Sequence, residues 1–232
     1  MNDVELVAAP LIELGPVVIT HTVVTTWGIM IFLWLVAWQV TRHALLSPGM
    51  IQTALEGIVS AIENAIANVA PQHVRQLLPF IGSLWIFLVI ANLSGLIPGL
   101  HSPTRDLSAT AALAVLVFLS THWFGIRAQG LKNYLRHYLS PNPILLPFHI
   151  ISELTRTVAL AVRLFGNMMS LEMAALLILL VAGFLAPVPI LMLHIIEALV
   201  QAYIFGMLAL IYVAGGLQSQ QIRQQKKGAT HA

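Results

Sequence analysis

The chain has 232 residues, of which 58% are hydrophobic and only 9% are charged, and its formal net charge is +2. Because a soluble domain carries about 25% charged residues, this composition excludes a water-soluble globule and indicates a membrane protein. The sequence contains no cysteine, which excludes disulfides, thiolate metal sites and cysteine nucleophiles. The basic residues are scattered over predicted loops, which favours membrane topology over a nucleic-acid-binding surface.

Five segments are apolar over the length of about 20 residues that a membrane-spanning helix needs. The predicted spans are residues 17–40, 77–97, 107–126, 148–186 and 190–217. Pro187 and Pro189 predict a turn between the last two. The pattern therefore predicts an all-α membrane protein in which residues 1–232 form a single integral membrane domain.

Residues 50–69 have a different pattern, because their apolar side chains recur at helical spacing and polar side chains fill the other positions. The apolar set is Ile51, Leu55, Ile58, Val59, Ile62 and Ile66. The polar set is Gln52, Glu56, Glu63 and Asn64. This pattern predicts an amphipathic helix that lies at the membrane interface and does not cross it.

The fourth predicted span is too long for a perpendicular crossing. Residues 148–186 contain no proline, and about 39 residues would form a helix about 58 Å long. The hydrocarbon core of a bilayer is only about 30 Å thick. The helix pair within 148–217 is therefore predicted to be steeply tilted, bent, or extended out of the membrane.

The basic residues predict the orientation of the five spans. Three groups fall on one side, which the excess of Lys and Arg predicts to be the cytoplasm. These groups are Arg42 and Arg75; Arg127, Lys132 and Arg136; and Arg223, Lys226 and Lys227. Residues 1–16 and Arg105 are predicted on the non-cytoplasmic side, and the tail 218–232 on the cytoplasmic side.

A few charged residues lie within the apolar segments, where each costs about 2.5–3.5 kcal/mol to insert and marks a candidate functional site. They are Glu153, Arg156, Arg163, Glu172 and Glu197. Arg156 is near the predicted cytoplasmic end of its helix, where a long side chain can reach the interface, and it is interpreted as an anchor.

Arg163 has no acid partner within its own helix. The residues three and four positions away are Ala159, Leu160, Gly166 and Asn167. Glu172 is nine positions on, which places it half a turn round the helix and about 13 Å along it. Because the guanidinium stays protonated, the fifth span, water or a carboxylate on another subunit must solvate it. A structural alternative is a buried ion pair with Glu197 or Glu153.

The fifth span carries a polar stripe, since His194, Glu197 and Gln201 follow one another at spacings of three and four. The short predicted turn between the last two spans places Glu172 and His194 at similar depth. Such a pair can hold water and exchange protons near neutral pH, which predicts an aqueous inlet from the non-cytoplasmic side. The alternative for His194 is a hydrogen-bonded polar residue between packed helices. The spacing does not support a metal site.

Around these residues the chain resembles a known family. The run AVRLFGNM at residues 161–168 resembles the signature of subunit a (subunit 6) of F-type ATP synthases. LHIIEALVQAYIF at 193–205 is similar to the last helix of that subunit, and residues 19–27 and 91–98 are similar to its earlier segments. Thr157 departs from the family, which often has proline at this point.

The resemblance implies a stator ion-channel subunit that is not an enzyme on its own and binds no nucleotide, cofactor or metal. Its implied partners are the c-subunit ring, b-type stator subunits and the remaining ATP synthase subunits. Arg163 would face the ring carboxylates, which carry protons or sodium ions between two half-channels. Asn167, Glu172, His194 and Gln201 match positions near the arginine and along the outer half-channel. Glu197 and Glu153 are further candidates for the ion pathway.

The expected location is a bacterial plasma membrane.

The sequence leaves two alternative functions open. A secondary ion transporter or channel working alone would also contain buried charge, and a structural membrane scaffold would not depend on Arg163.

Overall fold

The computed structural model describes residues 10–14, 17–42, 49–97, 100, 102–131, 134, 146–182 and 188–218. A short hairpin of β1 (Pro10–Leu14) and β2 (Val17–Thr20) precedes six long helices. The helices are α1 (His21–Arg42), α2 (Met50–Val69), α3 (Val74–Leu93), α4 (Leu107–Gln129), α5 (Leu146–Ala182) and α6 (Val188–Gln218). Single 3₁₀ turns lie at Pro71–His73, Ser94–Leu96 and Pro103–Arg105.

The predicted all-α membrane fold with five spans is confirmed. Five helical stretches in the described part of the chain are long and apolar enough to cross a membrane: His21–Arg42, Pro71–Leu96, Leu107–Ala128, Pro147–Val181 and Pro189–Leu217. Helix α2 is not among them, although it covers the same residues as the predicted amphipathic helix. Its location at the membrane interface remains a prediction, as do the orientation of the chain and the tilt of α5 and α6.

The predicted start of the first span was wrong, and so was the placement of Pro189 in a turn. The first span begins at His21, because residues 17–20 pair with β1 in an antiparallel hairpin, where Val18 is opposite Glu13. Helix α6 begins at Val188, so Pro189 lies in its first turn, where the missing N–H of proline does no harm. Residues 183–187 and the predicted tail beyond residue 218 lie outside the described residues.

Helices α3 and α6 form the centre of the bundle. Leu77, Ile81 and Leu88 of α3 are fully buried, as are Ala198 and other alanines of α6. Small residues let membrane helices approach closely, so that dispersion contacts and hydrogen bonds can hold them together without a hydrophobic driving force. The centre is therefore held by close packing along α6.

Helix α1 lies at the edge of the bundle and α2 packs through only part of its apolar stripe. In the apolar window of α1, 6% of the residues are buried, and Trp27 and Trp34 are exposed. On α2, Ile62 and Ile66 are buried next to α3, whereas Ile58 remains exposed. The end of the predicted apolar stripe therefore packs within this chain, whereas Ile58 and Val59 remain exposed.

Helix α5 has one buried face and one exposed face. Leu160, Leu164, Met168 and Leu171 recur at spacings of four and three and are buried. The helix has 37 residues, which gives it a length of about 55 Å. Its length therefore exceeds the thickness of the hydrocarbon core, as the sequence predicts.

Gly206 provides a test of the packing between α3 and α6. A Cβ atom at Gly206 would overlap the indole of Trp85, which stacks on the ring of Tyr203 with 5.9 Å between centroids. We expect Gly206→Val to destabilise the protein by about 1–3 kcal/mol through overpacking. Thermal unfolding of the detergent-purified protein measures this loss. Gly28→Val is the matched control, because a Cβ at Gly28 meets nothing within 4 Å. Equal melting temperatures for the two variants would contradict the close approach of α3 and α6.

Candidate functional site

Arg163 lies on the exposed side of α5. Its side chain is exposed, and it forms no ion pair with any residue that the structure describes. The next residue, Leu164, is fully buried, so Arg163 is at the edge of the face that packs into the bundle. The guanidinium therefore points away from the packed interior of this chain.

The two acids proposed as structural partners of Arg163 are placed elsewhere. Glu153 pairs with His122 of α4, with 3.1 Å between Oε2 and Nε2. Glu197 is half-buried and forms no ion pair within the described ranges. The sequence analysis missed His122, although a histidine within the predicted third span was a signal that could have found it.

Asn167 and Gln201 join α5 to α6 one turn away from Arg163. The Asn167 Nδ2 donates a hydrogen bond of 2.6 Å to the Gln201 Oε1. Gln201 is 1% exposed, and its Nε2 has no hydrogen-bond partner among the described residues. Since four residues advance an α-helix by about 400°, Asn167 lies nearly above Arg163. The arrangement places a partly buried amide pair next to the exposed cation.

His194 is buried between α6 and the segment that follows α3. Its side chain is 7% exposed, and its Nε2 has no hydrogen-bond partner in the described part of the chain. A Cβ at Gly95 would lie 3.7 Å from this nitrogen and 3.2 Å from the Cβ of Ser102.

The 102–105 loop, which comprises Ser102, Pro103, Thr104 and Arg105, carries a buried hydrogen-bond network. The Thr104 hydroxyl donates to the Asn92 Oδ1 at 2.8 Å, and the Asn92 Nδ2 donates to the Ala198 carbonyl of α6 at 3.1 Å. The Ser102 and Thr104 hydroxyl oxygens are 2.6 Å apart. This network connects α3, the loop and α6. Sequence reasoning missed Ser102 and Thr104, which no helical periodicity distinguishes from ordinary loop residues.

Glu172 forms an ion pair with Arg105 of the same loop. The two side chains are 29% and 38% exposed, respectively, so the pair is partly solvated. The loop therefore lies against Gly95, which also lies next to the His194 Nε2, and it reaches Glu172 through Arg105. The sequence predicts Glu172 and His194 at similar depth but does not reveal this loop.

Arg156 is exposed, and its guanidinium carbon lies 5.6 Å from the centre of the Tyr212 ring. This cation–π contact fixes one side chain of α5 to α6.

Among the described residues, no group of three or more His, Asp or Glu side chains is placed to hold a metal ion.

The family model for the ATP synthase A chain matches residues 22–214. The chain belongs to this family. It is 64% identical over 217 residues to ATP synthase subunit a 2 of Pelobacter propionicus, covering 94% of this chain and 95% of the relative. It is 67% identical over 219 residues to ATP synthase subunit a 1 of Hahella chejuensis, covering 94% and 92%. ATP synthase subunit a of Legionella pneumophila is 57% identical over 214 residues, covering 92% and 93%.

The A chain family membership agrees with the resemblance found in the sequence, and it gives no support to a transporter working alone. Arg163, Asn167, Glu172, His194 and Gln201 all lie within the matched residues 22–214. The match covers α1 to α6 nearly completely, so the described helices are those of the family.

Asn92 allows a test of the buried network. We expect Asn92→Leu to destabilise the protein by about 1–3 kcal/mol, because the buried Thr104 hydroxyl loses its acceptor. The melting temperature of the purified protein in detergent measures the change. Asn64→Leu on α2 is the matched control, since Asn64 is exposed. A network that contributes nothing would leave both variants at the wild-type melting temperature.

Proposed function

We propose that this chain is the stator ion-channel subunit of a rotary ATP synthase and that Arg163 faces the carboxylates of the c-subunit ring. The observation that carries the proposal is a permanently charged side chain on the exposed face of a membrane helix, without an acid partner among the described residues. Facing lipid, such a charge would cost several kcal/mol. A carboxylate on a neighbouring subunit removes that cost.

The surroundings of Arg163 suit a close partner helix. Ala159 and Ser170 are exposed on the same side of α5, and Gly166 is half-buried with open space where a Cβ would be. Small residues allow helices in a membrane to approach closely. A helix of the ring can therefore bring its carboxylate near the guanidinium.

The proposed mechanism is electrostatic. A fixed cation favours the ionised form of a ring carboxylate opposite it, so the carboxylate releases its ion as it reaches Arg163. It takes up another ion before it moves back into lipid, where an unpaired charge is costly. Arg163 also repels free cations and prevents direct leakage between the two half-channels. Ion flow then drives rotation and ATP synthesis in the other subunits.

We assign Asn167, Glu172, His194 and Gln201 to the pathway on the non-cytoplasmic side. Two observations support this assignment. The buried Nε2 atoms of His194 and Gln201 have no partner among the described residues, and buried polar atoms of this kind bind water in most proteins. The Glu172 carboxylate is partly exposed, so water can reach it.

Glu197 and Glu153 are proposed in weaker roles. Glu197 is half-buried on α6, between His194 and Gln201 in sequence, and can extend the same polar stripe. Glu153 is positioned by His122 on the side of α5 that packs against α4. We propose that it lines the cytoplasmic half of the pathway.

The chain is an integral membrane protein that assembles with other ATP synthase subunits. We propose the c-subunit ring and b-type stator subunits as its direct neighbours, in a bacterial plasma membrane with the C-terminus in the cytoplasm. The bacterial sources of the three relatives support this location.

Arg163→Ala tests the proposed function directly. We expect the assembled enzyme to lose ATP-driven ion pumping to the background level, because the ring carboxylates no longer meet a fixed cation. Pumping is measured with a fluorescent ion-gradient probe in vesicles, and assembly by co-purification of the ring. Arg75→Ala is the matched control, since Arg75 is exposed at the start of α3. Normal pumping by a correctly assembled Arg163→Ala enzyme would refute the assignment.

A further inference from the structure

The 102–105 loop is buried and is hydrogen-bonded to α3. Thr104 is fully buried and Ser102 is 6% exposed. The Ser102 hydroxyl donates to the Ala91 carbonyl at 2.7 Å, and the Arg105 amide donates to the Ser102 carbonyl at 3.1 Å. The backbone that carries Arg105 is therefore anchored on α3 on one side and begins α4 on the other.

This anchoring fixes where the Arg105 guanidinium can lie. The side chain reaches across to α5 and contacts the Glu172 carboxylate, which is 67 residues away in sequence. A guanidinium has a planar set of donors that loses little freedom for each hydrogen bond it makes to a carboxylate. Since both side chains are partly exposed, an ion arriving through water still has access to Glu172.

The other charged and titratable groups around Glu172 do not replace Arg105. On the loop side, the Asp106 carboxylate accepts hydrogen bonds from the Ser108 amide at 2.9 Å and the Ser108 hydroxyl at 2.7 Å. On α6, the Nε2 of His194 lies against Gly95 and has no hydrogen bond to Glu172. Among the residues that the structure describes, Arg105 is a permanent cation paired with this carboxylate.

Building on the proposed function, we propose that Arg105 is a positioning residue that limits how tightly Glu172 binds the coupling ion on the non-cytoplasmic side. An ionised carboxylate has about four lone-pair sites, and the guanidinium occupies part of them while its charge opposes a second cation. Conduction requires an ion site that binds strongly enough to fill and weakly enough to empty. Arg105 weakens the binding enough for the site to empty.

The test uses the complete ATP synthase in vesicles whose lumen corresponds to the non-cytoplasmic side. ATP synthesis is measured at a fixed membrane potential while the lumenal proton concentration is varied, and in a separate series the lumenal sodium concentration. For the ion that drives synthesis, Arg105→Gln lowers the half-saturating concentration roughly fivefold, which corresponds to about 1 kcal/mol of charge interaction. The maximal rate falls, because the ion leaves Glu172 more slowly. Arg105→Lys keeps most of the wild-type behaviour.

Two further variants separate this role from a structural one. Arg127→Gln removes an exposed arginine at the other end of α4 and leaves the half-saturating concentration unchanged. In a Glu172→Gln background, Arg105→Gln causes no further shift, since the group it acts through is gone. An equal shift in that background would overturn the proposal. So would an unchanged half-saturating concentration in Arg105→Gln, with or without a lower yield of assembled enzyme.

The variants Arg163→Ala and Arg105→Gln test the proposed function and the role of Arg105 separately. If Arg163→Ala blocks ion flux while Arg105→Gln leaves half-saturation unchanged, the role of Arg105 is wrong and the assignment of the subunit stands. If Arg163→Ala leaves ion-driven synthesis intact, the proposed function itself is wrong.

Discussion

The central constraint on this molecule is a permanent cation on the exposed side of a membrane helix. Arg163 cannot lose its proton, and no described residue neutralises it. A buried ion pair would have removed the cost of insertion. It would also have left the guanidinium unable to pair with a carboxylate on another subunit. The fold instead keeps Arg163 at the edge of the packed face of α5, beside the fully buried Leu164. The need for an external carboxylate follows from this placement.

Three other polar side chains of α5 contact neighbouring parts of the chain. Glu172 pairs with Arg105, Glu153 pairs with His122, and Asn167 donates to Gln201. Each contact joins α5 to a different part of the bundle, namely the 102–105 loop, α4 and α6. The helix therefore combines an outer side that offers a free charge with inner contacts that hold it in place. Under the proposed function, this separation lets one helix both anchor the bundle and face a ring subunit.

Sequence reasoning found the features that depend on local spacing. It predicted the five spans, the bounds of α2 and the absence of an acid near Arg163 within its own helix, since all three follow from helical periodicity and composition. It could not find the contact between Arg105 and Glu172, because the two residues are 67 positions apart and a loop of ordinary composition brings them together. It also placed residues 17–20 in the first span, because apolar β-branched residues suit a strand as well as a membrane helix. The network of Asn92 and Thr104 depends likewise on tertiary packing.

The most direct measurement of the central claim is cross-linking between α5 and the ring. The chain has no cysteine, so single cysteines can be introduced on the Arg163 side of α5 at Ala159 and Ser170, which are both exposed. A matched control is Leu119→Cys on the exposed side of α4, paired with the same ring cysteine next to its carboxylate. We expect disulfide formation with the ring from both α5 positions and none from Leu119. Cross-links from Leu119 alone would show that another face meets the ring and would contradict the account.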